Sequence, residues 1–488
     1  PQAHVGGENV FRAAERDSTQ RRARDRSHSG HRAMRARRKV TRSGRRLPQG
    51  PRPHFCALVM ASDDDDGVAV QTFTLEQEQE LRVETPARGG IKLRLVDGTA
   101  EVFGAEIAVG QSITCVSGRK LAVFTYHGAT IEVRGEVEIA YVAGETPMVS
   151  YANTHSVLNA KRVAAASANS SEAEGPRVMC VGPTDVGKST VCSILCNYAT
   201  RAGHAPLYVD LDLGQGAVTV PGTICAAPID AQIDLEEGIP LEMPLVYFYG
   251  DLTVNNPDYY KHIVSKLGTM LDERSKVNEE ARAAGCVVNT MGWIDGVGLE
   301  LLLHAREALK IDHVLVIGQE RLFGQLQQKL KGTDCQVFRL QKSGGVVERT
   351  PEYRRASRDR MFKEYFYGAT GELAPASQTA YFSKISIYRI GGGPRAPTSA
   401  LPIGQAPSTD PMRVTPVVPS TSLLHSVLAV SHGKTQGDLL TSNVAGFIYI
   451  TEVNMMQKSF TYLSPCPGEL PSNVLLSGNL KWLGEDVK

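Results

Sequence analysis

Long apolar runs and clustered cysteines are both missing from this 488-residue sequence. Without a run of about 18 uncharged apolar residues, the sequence predicts no membrane span. Its 9 cysteines include no C-x-x-C pair, so neither a disulfide scaffold nor a zinc site is indicated. Cys192 and Cys196 are expected to be small buried helix residues. No secretory signal is evident, and a reducing compartment is therefore the default expectation.

The formal net charge of +1 hides two unlike segments. Residues 1–59 hold 15 Lys and Arg against 4 Asp and Glu, whereas residues 60–488 hold 38 against 48. Hydrophobic residues make up 42% and charged residues 22%, which are values typical of globular proteins. The composition therefore predicts an acidic globular body preceded by a basic tail.

Residues 1–68 are interpreted as a disordered basic and acidic tail, because they contain few apolar residues to offset chain entropy. Three interpretations of the basic part stay open. In the first, it is a disordered arm that touches nucleic acid or serves as a nuclear address. In the second, it is a transit peptide, a class that is also rich in Arg and Ser. In the third, it is absent from the natural protein, since the chain begins with Pro1 and Met60 resembles an ordinary start.

Short alternating strands with turn residues between them predict an N-terminal β-sandwich over residues 69–155. Asp97-Gly98 and His127-Gly128 are predicted to be hairpin turns. The strands that these turns would join are Ile91–Leu95 with Thr99–Phe103, and Leu121–Tyr126 with Thr130–Val133; Glu136–Val142 adds another.

Strands that alternate with helices predict a parallel α/β core over residues 156–375. After about Gly368 the chain becomes rich in Pro, Gly and Ser, and the strand-like segments that flank this stretch predict a mostly β domain over residues 376–488. Predicted core strands are Val178–Val181, Leu207–Leu213, Cys286–Asn289 and Val314–Ile317, and predicted helices are Ser189–Arg201, Leu299–Leu309 and Arg321–Lys331.

Residues 182–189 read GPTDVGKS and match G-x-x-x-x-G-K-[ST] between an apolar strand and a helix. Gly182 and Gly187 let the backbone fold around phosphate oxygens, and the helix N-terminus attracts the anion. Lys188 would bridge the β- and γ-phosphates, and the Ser189 hydroxyl would ligate Mg²⁺. The motif predicts a nucleotide site, and the lack of an N-K-x-D motif disfavours a GTPase.

Asp210 and Asp212 lie two residues apart on the second predicted strand, near its C-terminal end, where ligands bind in open α/β sheets. Asp212 could accept a proton from a hydroxyl nucleophile or help to hold Mg²⁺. The alternative is a strand end with two solvated or capping carboxylates.

Five separated motifs resemble one family, the polynucleotide 5′-hydroxyl kinase subunits of pre-mRNA cleavage complex II. They are GPTDVGKST from Gly182, YVDLDLGQG from Tyr208, TMGW from Thr290, SGGVVER from Ser343 and EYFYG from Glu364. The resemblance covers about Phe73 to Lys488. It implies an α/β P-loop kinase core with an N-terminal β-sandwich domain and a C-terminal mostly β domain, and ATP- and Mg²⁺-dependent phosphorylation of RNA 5′-hydroxyl ends.

The resemblance also implies residue roles. Lys188 and Ser189 would bind ATP and Mg²⁺, and Asp212 would be the general base. Trp293 would stack on the RNA end, and Arg349 and Arg354 would be lid arginines over the transferred phosphoryl group. The other implied ATP contacts are Glu80, Lys120, Gly182, Asp185, Val186, Gly187 and Thr190.

Taken without the resemblance, these residues have simpler interpretations. A lone Trp is usually a core residue, residues 354–360 could be a charged helix face, and Glu80 could be an exposed strand residue. Arg355 and Arg358 are alternative candidates for the role given to Arg349 and Arg354.

Two other functional hypotheses stay open. One is a catalytically silent, ATP-bound scaffold subunit of the cleavage factor, and the other is a nucleolar rRNA-processing kinase. The resemblance further implies a nuclear protein whose partners are a cleavage-factor scaffold protein and the tRNA splicing endonuclease.

Overall fold

The computed structural model of the chain describes residues 59–63, 68–86, 89–168, 173–239, 243–391 and 410–484. The basic tail up to residue 58 and the acidic residues 64–66 lie outside this part. Val59–Asp63, predicted to belong to the disordered tail, instead forms strand β1, because its backbone pairs antiparallel with the next strand. Within the same described ranges, no helix is both long enough and apolar enough to cross a membrane.

The N-terminal domain is a sandwich of two five-stranded sheets, in the orders β1-β2-β9-β4-β7 and β10-β3-β8-β5-β6. Alternate apolar side chains, such as Ile91, Leu93 and Leu95, are buried between the sheets. The strands are β2 Ala69–Leu75, β3 Glu80–Glu84, β4 Ile91–Gly98, β5 Ala100–Val102, β6 Ala105–Ile107, β7 Ser112–Cys115, β8 Lys120–Phe124, β9 Ala129–Arg134 and β10 Ile139–Ala143.

The two predicted hairpins in this domain are wrong. β4 pairs with β7 and β9 in one sheet, whereas β5 pairs with β6 and β8 in the other, so the chain crosses between the sheets at Gly98. The chain crosses back at Gly128, between β8 and β9. Both glycines have positive φ values, 87° and 107°, and Thr99 N donates to Gly128 O at 3.3 Å. The two turn signals therefore form corners that pack on each other.

The central domain contains a seven-stranded sheet in the order β14-β13-β12-β15-β11-β16-β17. β12, β15, β11, β16 and β17 are parallel neighbours, and β13 runs antiparallel to β12 and β14. The strands are β11 Arg177–Val181, β12 Leu207–Asp210, β13 Thr223–Pro228, β14 Leu245–Phe248, β15 Cys286–Asn289, β16 His313–Ile317 and β17 Gln336–Leu340.

Helices precede, separate and follow these strands along the chain. They are α1 Met148–Ser167, α2 Lys188–Arg201, α3 Pro257–Val277, α4 Glu279–Ala284, α5 Val297–Ala308, α6 Glu320–Lys329 and α7 Pro351–Tyr367. The predicted domain boundary between residues 155 and 156 falls within α1. The other domain boundaries stay predictions.

The C-terminal domain is a seven-stranded sheet in the order β18-β23-β22-β21-β24-β19-β20, antiparallel except for the β19–β24 pair. The strands are β18 Ala376–Tyr381, β19 Ser386–Ile390, β20 Val414–Pro416, β21 Val427–Ser431, β22 Val444–Asn454, β23 Ser459–Ser464 and β24 Val474–Leu476, with short 3₁₀ turns at Phe382–Lys384 and Thr421–Leu423. The predicted fold class is confirmed.

Candidate active site

The loop Gly182–Ser189 joins the C-terminal end of β11 to the N-terminus of α2. Gly182 can have no side chain, because a Cβ there would collide with the carbonyl oxygen of Ile317 in β16. Gly187 precedes α2 with a φ of 89°, a left-handed conformation that glycine adopts without strain. The loop therefore turns back over the helix N-terminus, whose free N–H groups and dipole attract an anion.

The Lys188 ammonium lies inside this loop. Its side chain is buried, and Nζ donates to the carbonyl oxygens of Gly182 at 3.0 Å and Pro183 at 2.7 Å. Burial lowers the pKa of Lys188, and the negative charges of Asp212 and Asp185 oppose that change. The positive charge is thus held at the loop's concave surface by its own backbone and two carboxylates.

Asp210 ends strand β12 and is fully buried. Its carboxylate accepts hydrogen bonds from Asn289 Nδ2 at 3.0 Å, Ala217 N at 2.6 Å and Asp212 N at 3.1 Å. Burial and the nearby charge of Asp212 raise the pKa of Asp210 to about 7, although these three bonds favour the ionised form. Asp210 therefore titrates close to neutral pH and orients the backbone that carries Asp212.

Asp212 lies just beyond the end of β12, half-buried beside the phosphate loop. Its Oδ1 accepts a hydrogen bond from Gly214 N at 3.0 Å. Burial raises the pKa of Asp212, and the Gly214 N–H and the positive charges of Lys188 and Arg354 hold it down. The carboxylate is therefore a stronger base than an exposed Asp and has positive charge nearby.

Oxygen donors surround the start of α2. Ser189 Oγ is 3.5 Å from Asn289 Oδ1, and Asn289 is in turn bonded to Asp210. Hydroxyl, amide and carboxylate oxygens are ligands that suit Mg²⁺, which takes only one or two protein ligands when it also binds a nucleotide. No group of three or more His, Cys, Asp or Glu side chains that could hold a metal ion alone occurs in the described residues. The donor set therefore fits a cation shared with phosphate oxygens.

The lid segment, which we define as residues 343–367, contacts the phosphate loop through Asp185. Asp185 Oδ2 accepts from Arg354 Nη2 at 2.5 Å and from the backbone N of Arg349 at 3.0 Å. The Arg349 side chain is exposed and lies over the ring of Tyr353, 5.4 Å from its centroid. Both predicted lid arginines are thus brought to the loop, although only Arg354 reaches it with its guanidinium.

Trp293 lies next to the phosphate loop with 42% of its surface exposed. A Cβ on the preceding Gly292 would lie 2.5 Å from Thr184 N, so only glycine permits this close approach. On its other side, the indole packs against Gly298 in α5, where a Cβ would lie 2.6 Å from Trp293 Cγ. An exposed aromatic side chain held by two glycines offers a flat surface beside the loop.

Glu80 and Lys120 lie on neighbouring strands of the N-terminal domain but at opposite ends of the ladder between them. Glu80 is buried, accepts from Arg82 Nε at 2.6 Å and from Thr146 Oγ1 at 2.8 Å, and pairs with Phe124. Lys120 pairs with Glu84 and forms a 2.5 Å ion pair with it. Both side chains therefore bond to residues of their own domain, and the contacts of Glu80 and Lys120 with a nucleotide stay predictions.

Two residues of the site were not singled out from the sequence. Asn289 ends β15, and its amide links Asp210 to Ser189. Gln215 Nε2 approaches Arg354 O at 3.4 Å, which places the Asp212 loop against the first turn of α7. The rule that polar residues at the carboxyl ends of parallel strands form the site would have found Asn289.

Family models match three consecutive parts of the chain. The model described as "N-terminal beta-sandwich domain of polyadenylation factor" matches residues 74–165. The "mRNA cleavage and polyadenylation factor CLP1 P-loop" model matches residues 182–368, and the "Pre-mRNA cleavage complex II protein Clp1" model matches residues 373–484.

Individual relatives agree with these matches. The chain is 49% identical to "Protein CLP1 homolog" of Arabidopsis thaliana over 84% of its own length and 93% of the relative's. It is 43% identical to the human "Polyribonucleotide 5'-hydroxyl-kinase Clp1", over 86% and 98% respectively. A solved "wild-type Clp1p-Pcf11p (454 -563) complex" is similar with a TM-score of 0.72 and 26% identity, covering 84% of this chain and 98% of that one.

Proposed function

The chain belongs to the Clp1 family of mRNA cleavage and polyadenylation factors, and we propose that it is an ATP-dependent kinase of RNA 5′-hydroxyl ends. Relatives at 43% identity carry the name polyribonucleotide 5′-hydroxyl-kinase. The alternative of a catalytically silent scaffold is not favoured, because the parts needed for transfer lie together around one phosphate loop.

One observation supports the proposal above all others. Asp212 lies beside the phosphate loop where the charges of both Lys188 and Arg354 act on its carboxylate. These three side chains come from α2, the loop after β12 and α7, and therefore from three separate segments of the chain. A base flanked by two phosphate-binding cations is the arrangement that transfer of a phosphoryl group to a hydroxyl requires.

The transfer proceeds in one displacement. The 5′-hydroxyl oxygen of the RNA attacks the γ-phosphorus of ATP, and the bond from that phosphorus to the β,γ-bridging oxygen breaks, releasing ADP. The hydroxyl proton passes to Asp212, whose raised pKa suits it to accept a proton near neutral pH. The Gly214 N–H donates to Oδ1 and holds the carboxylate in place beside the phosphate loop.

Positive charge around the transferred group comes from the chain itself. Lys188 lies at the loop's concave surface, and Arg354, which pairs with Asp185 of the same loop, is the guanidinium assigned to the γ-phosphate. Arg349 lies beside Arg354 because its backbone N–H donates to the same Asp185 oxygen. Mg²⁺, held through Ser189 and Asp212, would neutralise phosphate charge when bound.

The acceptor end of the RNA stacks on Trp293. An indole surface accepts any base, so stacking positions the 5′ end without selecting a sequence. We assign Glu80 and Lys120 to the nucleoside side of ATP on family resemblance, and the remaining phosphate contacts to Gly182, Asp185, Val186, Gly187 and Thr190.

The proposed setting is the 3′-end processing machinery of the nucleus. Two similar solved structures contain a Clp1p bound to Pcf11p, so we infer a partner of that kind, a cleavage-factor scaffold protein, for this chain. An additional association with the tRNA splicing endonuclease rests on the family resemblance alone.

The test is an end-labelling assay with the purified chain, γ-labelled ATP and oligonucleotides that carry either a 5′-hydroxyl or a 5′-phosphate. We expect label on the 5′-hydroxyl RNA and none on the 5′-phosphate RNA. A 5′-hydroxyl DNA of the same sequence measures the preference for ribose. ATP binding without transfer to any acceptor would contradict the kinase and leave the scaffold function.

A further inference from the structure

Helix α7 carries Arg354 in its first turns, with Arg349 just before its N-cap, and contacts the C-terminal domain at its other end. Thr350 caps its N-terminus by accepting from Tyr353 N at 3.2 Å, and Pro351 follows at the first helical position. A helix of 17 residues is about 25 Å long. Since hydrogen bonds run along its whole length, a shift imposed at one end is transmitted to the other.

Aromatic side chains fix the C-terminal end of α7. Phe366 is fully buried and stacks on Trp482, with ring centroids 5.7 Å apart and planes 6° apart. Phe362 lies 6.0 Å from the same indole, and Tyr449 of β22 makes an edge contact with it at 4.9 Å. This aromatic cluster, Phe362, Phe366, Tyr449 and Trp482, joins the lid helix to the C-terminal sheet.

A second contact, between Tyr365 and strand β22, has little room to change. Tyr365 Oη accepts a hydrogen bond from Phe447 N at 2.9 Å. A Cβ on the neighbouring Gly446 would lie 2.9 Å from that same oxygen, closer than real Cβ contacts. The tyrosine hydroxyl therefore occupies the space that a side chain at residue 446 would need.

Helix α7 also contacts the N-terminal domain, once near each of its ends. Tyr353 Oη donates to Gly118 O at 3.2 Å, and Arg119 Nη2 is 3.7 Å from Glu364 Oε1. Both contacts involve the turn before β8 and part-buried or exposed groups. The half-buried Arg119–Glu364 pair, with side chains 29% and 31% exposed, stabilises the helix position only weakly, whereas the buried aromatic cluster excludes water. The stronger constraint on α7 is thus the C-terminal one.

We propose that the C-terminal domain positions the lid arginines, with Tyr365 and Trp482 as positioning residues that act through α7 on Arg354. The proposal rests on the kinase function. Tyr365 and Arg354 are 11 residues apart, or about 16 Å along the helix. Phosphoryl transfer depends on the placement of charge to within a fraction of an ångström, so a small displacement at β22 changes the rate.

The test uses Gly446→Ala, a single methyl group added at β22 that meets only the Tyr365 hydroxyl within 4 Å. Gly437→Ala is the matched control, because its Cβ would meet only Thr435 Oγ1 at 3.9 Å. Tyr365→Phe, alone and combined with Gly446→Ala, completes a double-mutant cycle. All four variants are compared with the wild type for kcat, the KM values of ATP and RNA, and melting temperature.

We expect Gly446→Ala to lower kcat about three- to tenfold, with the KM for RNA unchanged, because Trp293 is not on α7. Gly437→Ala should match the wild type. In the Tyr365→Phe background, Gly446→Ala should lower kcat by less than about twofold, since the oxygen it displaces is gone. An unchanged kcat in Gly446→Ala, or an equal fall with and without the Tyr365 hydroxyl, would overturn the proposal.

Hydrogen exchange gives a readout that does not depend on activity. Amides of residues 343–358 should exchange several-fold faster in Gly446→Ala than in the wild type or Gly437→Ala. Equal exchange in all three proteins would also overturn the proposal. If the wild type transfers no phosphate, this measurement still decides whether the C-terminal domain positions the lid, so the two failures can be told apart.

Discussion

At the scale of single residues, two carboxylates two positions apart have different tasks. Asp210 is buried and accepts three hydrogen bonds that shape the loop after β12. Asp212 accepts hydrogen bonds from the backbone of its own loop and has the cations of the phosphate loop and the lid nearby. The sequence pattern presents them as equivalent, and only their surroundings separate an orienting carboxylate from a base.

The raised pKa values predict the pH dependence of transfer. The base works only when ionised, so kcat rises with pH and falls in acid. Because burial raises the pKa of both Asp212 and Asp210, the latter to about 7, the acidic limb should lie above the ordinary Asp value of about 4. Single-turnover rates between pH 4.5 and 8.5 measure it, and a limb near pH 4 would contradict the assignment.

The raised pKa of Asp210 also predicts how stability depends on pH. Stability should fall as the pH rises, whereas kcat should increase. The folded protein binds the Asp210 proton more tightly than the unfolded chain does. The stability that this group contributes is therefore fully present below about pH 4 and is lost as the pH rises toward about 7. Urea unfolding of the wild type and Asp210→Asn across this window should show the decline only in the wild type.

Trp293 should determine the affinity for RNA. Stacking on one base contributes about 1–3 kcal/mol, so Trp293→Ala should raise the KM for RNA by about five- to a hundredfold and leave the KM for ATP unchanged. Trp293→Phe keeps a smaller aromatic ring and should raise the KM for RNA by less. Steady-state kinetics with a 5′-hydroxyl oligoribonucleotide measure both, and a larger effect on ATP than on RNA would contradict the stacking role.

At the scale of elements, the site is built where β11, β12 and β15 end and α7 returns to meet them. Asp185 makes that return contact, because one carboxylate oxygen holds both Arg354 and the backbone of Arg349. Its part-buried ion pair is a link between two elements that are far apart in sequence.

Asp185→Asn tests this link. Losing the charge weakens two charge-assisted hydrogen bonds, so tryptic cleavage after Arg354 and Arg355 should become several-fold faster. Glu348→Gln, an exposed change of the same charge nearby, is the control and should cleave like the wild type. Mass spectrometry of timed digests measures the rate of this cleavage. Equal rates in Asp185→Asn and the wild type would show that Asp185 does not hold the lid.

Local sequence signals predict which segments form helices and strands better than they predict which strands pair with each other. The phosphate loop, α2, β15 and β16 follow directly from apolar runs and the glycine motif. Gly98 and Gly128 were correctly identified as turns but wrongly as hairpins, because a turn signal does not say which sheet the next strand joins. The rule that polar residues end parallel strands indicates Asn289 from the sequence, whereas the contact of Asp185 with Arg354 is visible only when the lid segment is placed against the phosphate loop.

At the scale of the whole molecule, the charge is unevenly distributed along the chain. Residues 60–488 are acidic by sequence, so long-range attraction of RNA to this body is unfavourable. Lys188, Arg349 and Arg354 concentrate positive charge at one point instead. A site of this kind binds one RNA end and one triphosphate.

A short footprint predicts a shallow salt dependence. With about two RNA phosphates contacted, log affinity should fall with log salt at a slope of about −1.4. Titrating a 5′-hydroxyl oligoribonucleotide between 50 and 300 mM salt measures this slope. A slope several times steeper would mean that many phosphates are bound, which would implicate the basic residues 1–59.

The central claim is that Asp212 accepts the proton of an RNA 5′-hydroxyl beside the phosphate loop. The most direct measurement is single-turnover transfer from ATP to a 5′-hydroxyl RNA by the wild type and Asp212→Asn, with Asp230→Asn as an exposed control. We predict that Asp212→Asn transfers about 10²- to 10⁴-fold more slowly while still binding ATP. Transfer by Asp212→Asn within about threefold of the wild type would contradict the account.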